Sequence, residues 1–287
     1  MSSFLPWILG PLIAGVFVLL IWQERRRPLR SRVEPGFKHG VRNIAIGGVG
    51  ALATIFIETP VIQPLAQIVD QRRWGLLGAL DLPFWAEAGI ALVLMDYTFY
   101  VWHVLLHRSP FLWRFHAVHH VDLDLDASTA LRFHFGEIVL SVPWRAAQVL
   151  AIGLNPVIFA VWQAWFAVCV LFHHSNLRIP IHWERRINRV LVTPRMHGVH
   201  HSNVREETDS NWSSGLTVWD WLHGTLRLNV PQEEIVIGVA AFKGADSIAL
   251  PDVLAMPFRR QPEYWRLPDG IAPEPRSTPS SRSALLP

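Results

Sequence analysis

An uncharged run of 19 residues, from 4 to 22, is the feature that most constrains the fold of this chain. Its sequence, FLPWILGPLIAGVFVLLIW, is long enough to cross a hydrocarbon layer of about 30 Å as a helix. Arginines cluster directly after it, between residues 25 and 32. A cleaved signal peptide carries its positive charge before the apolar stretch, so the reversed order predicts a retained membrane anchor. The positive-inside rule then places the arginines in the cytoplasm and the N-terminus outside.

Further apolar runs predict a multi-pass membrane protein. Charged residues make up only 17% of the chain, below the roughly 25% of soluble domains. The last two runs meet at Asn155-Pro156, a turn signal, so their outer ends emerge on one side whether they cross fully or form a shallow hairpin. We predict an all-α integral protein of the cytoplasmic membrane, with four to five membrane helices or half-spans and a cytoplasmic histidine-rich helical cap. The further runs are 44–57, 84–103, 138–154 and 157–172. A weaker apolar stretch, 61–69, either completes the 44–57 run or lies along the membrane interface.

The chain divides into five predicted segments. Its net charge is +3, and because the basic excess lies mainly in the arginine-rich loop, we predict no nucleic-acid partner. Prolines among serines and arginines after Gln261 are typical of disorder. The segments are a membrane anchor and arginine-rich loop at 1–40, a second membrane segment and outer loop at 41–84, a histidine-bearing domain at 85–228, a C-terminal cytoplasmic extension at 229–260 and a disordered Pro/Ser-rich tail at 261–287.

Histidine is over-represented, with 14 residues in 287. On an α-helix, residues at i, i+3 and i+4 lie on one face, so motifs with that spacing present two or three imidazoles in one direction. Neutral imidazole offers a lone pair from one nitrogen while its other nitrogen is oriented by a neighbour, which suits metal binding. The motifs are His103-Val-Leu-Leu-His107, His116-Ala-Val-His119-His120 and His197-Gly-Val-His200-His201, and the further sites are His134 and the pair His173-His174.

The predicted topology places all of these motifs on one side of the membrane. The third run ends inside at residues 103–107, the following loop stays inside, and the helical pair returns to the inner face at 173–174. The assignment of spans did not use the histidines, so their common side indicates that they converge. Taken singly, His39, His182 and His223 are expected to be ordinary polar residues.

The number of motif histidines indicates two metal ions. A structural zinc site uses four ligands and a catalytic one often three plus water, so eight to ten imidazoles are too many for one ion. An imidazole set suits Fe, Zn, Cu or Ni. A two-metal hydrolase is disfavoured because such sites use bridging carboxylates, and no HExxH marks a protease. Bis-histidine haem is disfavoured because the motifs lie at span ends and in loops.

Several further motifs surround the histidines in a fixed order. They are Asp96 ahead of the first motif, WRFHAVHH at 113–120, TALRFHFGE at 129–137, FHHSN at 172–176, TPRMH at 193–197, DSN at 209–211 and WDWLHGT at 219–225. As a set, over about residues 85–228, they resemble the fatty acid hydroxylase and sterol desaturase superfamily of membrane di-iron enzymes. The chain departs from the family pattern at Asn211-Trp212-Ser213, where an aromatic residue and then glycine are usual, and at His223, which replaces an aromatic residue.

The resemblance implies a ligand set and the residues that orient it. In the family pattern the second histidine of FHHSN is the ligand, so His174 is assigned to the metal and His173 to a supporting position. Asp96, which shares a helix face with His103 at i, i+7, and Glu137 are expected to orient ligand histidines, and Asn211 is a further supporting candidate. No catalytic residue is expected beyond the di-iron centre. The implied ligands are His103, His107, His116, His119, His120, His134, His174, His197, His200 and His201.

The resemblance also implies the chemistry, an O2-dependent oxidation of an unactivated C–H bond in a lipid such as a sterol or fatty acid. Its product is an alcohol or a double bond, and its cofactors are two iron ions, which zinc could replace. Because the sequence carries no flavin, iron–sulfur or haem motif, we expect a separate electron donor, a cytochrome- or ferredoxin-type protein with its reductase. Two alternatives stay open: a non-redox di-metal zinc enzyme on the same histidines, and a degenerate, non-catalytic lipid-binding member.

Overall fold

The computed structural model describes residues 5–244 and 248–276, and these residues form an α-helical protein. Within these ranges strand pairing is limited to isolated bridges, such as Ser202 with Ile237. The predicted all-α class is therefore confirmed. The helices are α1 (Leu5–Arg26), α2 (Gly36–Ala53), α3 (Thr59–Arg72), α4 (Gly75–Gly78), α5 (Phe84–Arg108), α6 (Pro110–His120), α7 (Phe135–Ile152), α8 (Pro156–His174), α9 (Ile181–Ile187), α10 (Pro194–His200), α11 (Arg205–Thr208), α12 (Val218–Leu222) and α13 (Leu250–Ala255).

Five helical stretches in the described part of the chain are long and apolar enough to cross a membrane. Large apolar side chains on them face outward, including Phe56, which is 72% exposed, and Trp85, which is 76% exposed. Such a surface is costly in water but favourable against hydrocarbon, and the predicted number of membrane helices is confirmed. The stretches are Trp7–Arg26, Gly36–Gly78, Phe84–Arg108, Phe135–Ile152 and Pro156–His174.

The second membrane stretch, Gly36–Gly78, remains helical at its middle, where the charged residue Glu58 lies. Helices α2 and α3 are joined by a π-helical turn, Thr54–Glu58, a local widening of the helix that is frequent at functional sites. The sequence left open whether residues 61–69 complete the second run, and in the structure they belong to α3. Glu58 is buried at this turn, and its Oε1 lies 3.8 Å from Nε of Arg145 on α7.

Of the four apolar clusters among the described residues, two position the helices around the histidine motifs. The first, between α3, α5, α7 and α8, includes Met95, Val149 and Trp162. The second lies at the end of the bundle that carries the histidine motifs and includes Trp113 and Val118 of α6. The second core therefore fixes α6, which bears the middle histidine motif.

Part of the predicted C-terminal tail is packed against the second core. Tyr264 and Trp265 contact it, and the ring of Trp265 stacks on Trp113 with centroids 5.5 Å apart. Arg276 forms an ion pair with the buried carboxylate of Glu207. The first part of the predicted tail, 261–276, thus has contacts with the rest of the chain. Residues 277–287 lie outside the described part of the chain.

Candidate metal centre

Local sequence signals place two histidine motifs on short helices. Ser109 and Thr193 precede α6 and α10, and each side-chain oxygen accepts a hydrogen bond from a backbone N–H of the first helical turn. Each helix has proline at its start, where the missing N–H costs nothing. The histidines consequently lie in the last turn of each helix and, with i, i+3 and i+4 spacing, project from it together.

The first cluster, which we call site 1, contains five imidazoles. Their candidate ligand nitrogens all lie within 4.8 Å of one another. The Nε2 atoms of His107, His116, His120 and His200 are buried without a hydrogen-bond partner. Buried imidazole nitrogens without partners are costly, and a bound metal ion would satisfy them. Site 1 consists of His103, His107, His116, His120 and His200.

The second cluster, site 2, contains four imidazoles whose Nε2 atoms converge. The Nε2 of His174 lies 2.9 Å from that of His119 and 3.0 Å from that of His197. The Nε2 atoms of His201 and His197 are also 3.0 Å apart. His174 Nδ1 lies 2.8 Å from the carbonyl oxygen of Val170. A carbonyl oxygen can only accept a hydrogen bond, so Nδ1 of His174 carries the proton and its Nε2 carries a free lone pair.

The spacing within site 2 fits a metal ion. Two nitrogens bound to one tetrahedral ion at about 2.1 Å stand about 3.4 Å apart, a few tenths of an ångström more than the observed separations. The nitrogens are gathered around one point, with the protonated nitrogen of His174 directed elsewhere, so they form a donor set that could hold a metal ion. Site 2 consists of His119, His174, His197 and His201.

The two HxxHH motifs are shared between the sites in opposite ways. The i and i+4 histidines of the α6 motif, His116 and His120, belong to site 1, whereas the i+3 histidine, His119, belongs to site 2. In the α10 motif the assignment is reversed, since His200 at i+3 joins site 1. Each helix therefore contributes to both sites, which keeps the two sites adjacent.

A short segment without regular secondary structure, Ser210–Ser214, orients three histidines through backbone carbonyls. Alternate carbonyl oxygens of Ser210, Trp212 and Ser214 accept hydrogen bonds from Nδ1 of His200, His103 and His173 at 2.8, 2.7 and 3.0 Å, respectively. Because a carbonyl can only accept, each ring carries its proton on Nδ1 and leaves Nε2 free. This arrangement is the usual support of a metal-binding histidine. Backbone carbonyls leave no mark in the sequence, so motif analysis missed this support.

Glu137 occupies the position expected of a residue that orients a ligand. Both carboxylate oxygens lie 3.2 Å from Nδ1 of His116, an arrangement that raises the basicity of the other ring nitrogen. Asp209, which was noted only as part of a motif, lies 3.9 Å from Nδ1 of His107. The structure thus adds Asp209 to the carboxylates beside site 1.

Asp96 does not contact a histidine, contrary to the expectation from its helical spacing. Its Oδ2 accepts hydrogen bonds from the indole Nε1 of Trp219 at 2.7 Å and from the backbone N–H of Leu216 at 2.9 Å. The i, i+7 spacing places Asp96 and His103 on one face of α5, but the carboxylate bonds to Leu216 and to Trp219 of the WDWLHGT segment. Asp96 therefore anchors the end of the Ser210–Ser214 segment.

Asn211 also acts on the backbone. Its amide donates to the carbonyl oxygens of Met196 and Arg227, at 2.9 and 2.7 Å, and its φ of 52° lies in the left-handed region, which asparagine tolerates better than most residues. The residue therefore joins α10 to the chain after α12, and its described hydrogen bonds do not reach a histidine.

The structure places His134 outside both sites. Its Nδ1 accepts a hydrogen bond from the backbone N–H of Gly136 at 2.9 Å, and its Nε2 lies 3.1 Å from the carbonyl oxygen of Leu254. Both ring nitrogens are therefore occupied, and His134 caps the start of α7. His173 lies against site 2, its ring centroid 4.0 Å from that of His197, with Nε2 buried and unpartnered.

Burial keeps the histidines of the cap neutral. It disfavours the imidazolium form, and neighbouring imidazoles add to the effect, so their pKa values fall well below the usual 6.5. Metal ions bind neutral imidazole, so these residues need not lose a proton at neutral pH before binding. The residues outside the membrane-spanning helices that show this lowered pKa are His119, His120, His197, His200 and His201.

A third group of potential ligands forms an ion-pair network instead. His39 Nε2 lies 2.9 Å from Asp122, and Nδ1 lies 3.2 Å from Asp126. Although Asp122 is buried, the charges of His39 and Arg132 hold the pKa of its carboxyl well below the usual range. Charged partners and hydroxyl donors already surround these carboxylates, so the network is structural. His39 is thus the ordinary polar residue that the sequence predicted.

Two adjacent cavities lead to the histidines. A small one, with a volume of about 20 Å³, borders both sites and is lined by His103, His116 and His174. A larger one, of about 230 Å³, lies between the membrane helices. Four lining residues are common to both cavities: Phe99, Phe133, Glu137 and Phe166.

The fold and the two sites define a class, the helical membrane proteins that gather histidine motifs at one end of the bundle. Comparison with known families makes the assignment specific. Residues 88–225 match the family model described as fatty acid hydroxylase. This histidine-bearing part of the chain is thus similar to the fatty acid hydroxylase family, and the predicted resemblance is confirmed.

Relatives with curated names include several enzymes that act on lipids. The ornithine lipid hydroxylase OlsE of Rhizobium tropici is 28% identical over 62% of this chain and 52% of that protein. Human alkylglycerol monooxygenase is 29% identical over 69% of this chain and 42% of that protein. Human cholesterol 25-hydroxylase is 31% identical over 47% of this chain and 49% of that protein. The chain spans about half the length of the curated relatives it matches, and no solved structure matches it.

Proposed function

We propose that this protein is an O2-dependent lipid hydroxylase that holds one iron ion in site 1 and one in site 2. The observation that carries the proposal is the convergence of nine buried imidazoles into two adjacent sites beside a cavity between membrane helices. Two bound irons would supply the reduction of O2 and the oxidation of an unactivated C–H bond. Zinc has no redox chemistry, so iron fits this reaction and a zinc-loaded protein would be inactive.

The chain's own residues hold the metals and shape their surroundings. The site 1 and site 2 histidines are the proposed ligands, and His134, whose ring nitrogens are both engaged, is not among them. Glu137 and the carbonyl groups of Ser210 and Trp212 keep lone pairs directed at site 1. The apolar rings of Phe99 and Phe133 line both cavities, exclude water at the histidines and offer an apolar surface to a hydrocarbon chain in the larger one.

Hydroxylation is favoured over desaturation as the outcome. The relatives named above are hydroxylases or a monooxygenase, and their names concern lipids of different classes. A lipid substrate agrees with a cavity that lies between apolar helices. We further propose that the active site faces the cytoplasm, because the arginines after α1 favour that side, and that a separate redox protein delivers electrons there.

Oxygen consumption by purified protein tests the proposal. Protein reconstituted with Fe²⁺ under argon, then given O2, a chemical reductant and a membrane-lipid extract, should consume O2 and form lipids heavier by one oxygen. His200→Ala and His197→Ala remove one ligand from site 1 and site 2, respectively, and should abolish the uptake. His182→Ala, in exposed α9, is the matched control. Uptake at the wild-type rate in both site variants would reject the proposal, and loss of two hydrogens from the lipid would replace hydroxylation by desaturation.

A further inference from the structure

A charged pair lies in the larger cavity at the level of the membrane helices. Arg145 of α7 and Glu58 of the π-helical turn both line it, and their side chains are 13% and 9% exposed. Ionisable residues at such depth are costly and are usually retained for function. The pair does not belong to the metal sites, and neither the ligand histidines nor the residues that orient them contact it.

The pair leaves hydrogen-bonding capacity unused. Nε and Nη1 of Arg145 are buried without a hydrogen-bond partner, and the 3.8 Å between Nε and Glu58 Oε1 exceeds a hydrogen bond. Trp162 lines the same cavity, and its indole Nε1 is likewise buried and unpartnered. The guanidinium lies 4.9 Å from the Trp162 ring centroid, so the donors are grouped together. Buried donors without partners cost free energy, and a ligand oxygen would remove that cost.

The charge of the site selects a neutral oxygen. Glu58 already balances the charge of Arg145, so an additional carboxylate or phosphate would leave an unpaired negative charge among apolar groups. A hydroxyl fits the gap, because it accepts a hydrogen bond from Arg145 and donates one to the Glu58 carboxylate. An alkyl group would leave all the donors unpaired.

The position of the site relates it to the metal centre. Glu137, which contacts His116, and Arg145 are both on α7, eight residues apart, which is a rise of about 12 Å. The larger cavity, which Arg145 lines, shares Phe99, Phe133 and Phe166 with the small cavity at the histidines. An extended hydrocarbon chain bound at Arg145 through its polar end can therefore reach the metal sites with its other end.

We infer that Arg145, Glu58 and Trp162 form a recognition site for a hydroxyl group of the lipid substrate. The hydroxyl accepts from the guanidinium and indole N–H groups and donates to Glu58, while the carbon to be oxidised lies beside site 1 and site 2. The identity of the oxidised carbon rests on the proposed function, whereas binding of the hydroxyl group by Arg145, Glu58 and Trp162 does not. The substrate class it defines is a lipid whose hydroxyl lies about 12 Å from the reacting carbon.

Photolabelling without turnover tests the site. The probes are saturated chains of about ten carbons, matched to the 12 Å rise, with a diazirine at one end and a hydroxyl, methyl or carboxylate group at the other. In the purified full-length protein, the hydroxyl probe should label peptides that contain Phe99, Phe133 or Phe166 more strongly than the other two probes. Arg145→Met should reduce that labelling about tenfold, the effect of losing hydrogen bonds from a charged donor, and should not change labelling by the methyl probe.

Two further variants keep the test decisive if Arg145→Met does not fold. Trp162→Phe retains an aromatic ring and removes only the N–H donor, so it should weaken labelling by the hydroxyl probe alone. Trp144→Phe is the matched control, because Trp144 has an unpartnered indole N–H but does not line the cavity. Equal labelling by the hydroxyl and methyl probes, an unchanged Trp162→Phe variant, or preference for the carboxylate probe would overturn the inference. Because labelling requires neither iron nor O2, these outcomes are separate from failure of the proposed function.

Discussion

Nδ1 of His103 donates a hydrogen bond of 2.7 Å to the carbonyl oxygen of Trp212, which is 109 residues away in the chain. The same segment binds His200 and His173 through the carbonyls two residues before and after. One short segment therefore fixes the tautomers of histidines from three helices. The precision of the metal sites therefore depends on how this segment is held.

Asp220 holds the segment, and its removal should weaken metal binding. Its two carboxylate oxygens accept hydrogen bonds from the backbone N–H groups of Trp212 and Ser213, at 2.9 and 3.0 Å. Asparagine has only one acceptor oxygen, so Asp220→Asn leaves one N–H without a partner. We expect metal affinity to fall roughly 10- to 100-fold, measured by competition with a chelator. Asp252→Asn, in an exposed ion pair with Arg259, is the control, and equal effects in both variants would contradict this role.

Metal content distinguishes His134 from the ligand histidines. Wild-type protein should contain about two metal ions per chain, and His134→Ala should retain both, because His134 bonds to backbone groups only. His200→Ala should lose the ion of site 1 and His197→Ala the ion of site 2. Elemental analysis of protein purified under identical conditions gives the counts. Loss of metal from His134→Ala with its secondary structure intact would restore this residue to the ligand set.

The His39–Asp122 pair should contribute strongly to stability. Both side chains are fully buried, and removing His39 takes a cationic partner from Asp122 and Asp126 in the interior, leaving Asp122 only Arg42 and Arg132. We expect His39→Ala to destabilise the protein by about 3–5 kcal/mol, detected as a lower midpoint of thermal unfolding in detergent. Glu263→Gln breaks an exposed ion pair with Arg266 and should cost less than about 1 kcal/mol. A midpoint for His39→Ala as high as that of Glu263→Gln would show that the network is not stabilising.

The same network predicts how stability depends on acid. The pKa of Asp122 is lower in the folded protein than in the unfolded chain, so the folded state binds fewer protons in that range. Its contribution is complete above about pH 4, the ordinary pKa of aspartate, and is lost as the pH falls towards the folded value. Thermal midpoints measured from pH 6 down to about pH 3 should fall more steeply for the wild type than for Asp122→Asn. Parallel curves would exclude Asp122 as the titrating group.

Several parts of the molecule followed from local sequence. The apolar runs predicted the membrane helices, and Asn155-Pro156 predicted the turn at which the structure begins α8. The number of histidines predicted two sites of four or five imidazoles, and the structure groups them as five and four. Each of these inferences depends on residues that are close together in the chain. For such residues the helical period alone determines in which direction each side chain projects.

Other parts depended on contacts between distant segments. The sequence assigned His134 to the metal and Asp96 to a histidine, whereas packing directs both toward backbone groups elsewhere. Proline-rich composition after Gln261 likewise does not reveal that Trp265 packs against Trp113. Spacing identifies the face of a helix that a side chain occupies, but not which neighbour that face meets.

The sequence by itself determined a helical membrane protein with histidines grouped for metal binding, because hydropathy and the 3.6-residue period are local properties. Only the tertiary structure decided which histidines share a site, since His116 and His119 are three residues apart yet belong to different clusters. It also brought Glu58 beside Arg145 and the carbonyl of Trp212 beside His103. The physical reason is that the packing of whole helices determines such partners. A backbone carbonyl is the same whichever residue carries it, so the sequence does not mark which carbonyl will bind a histidine.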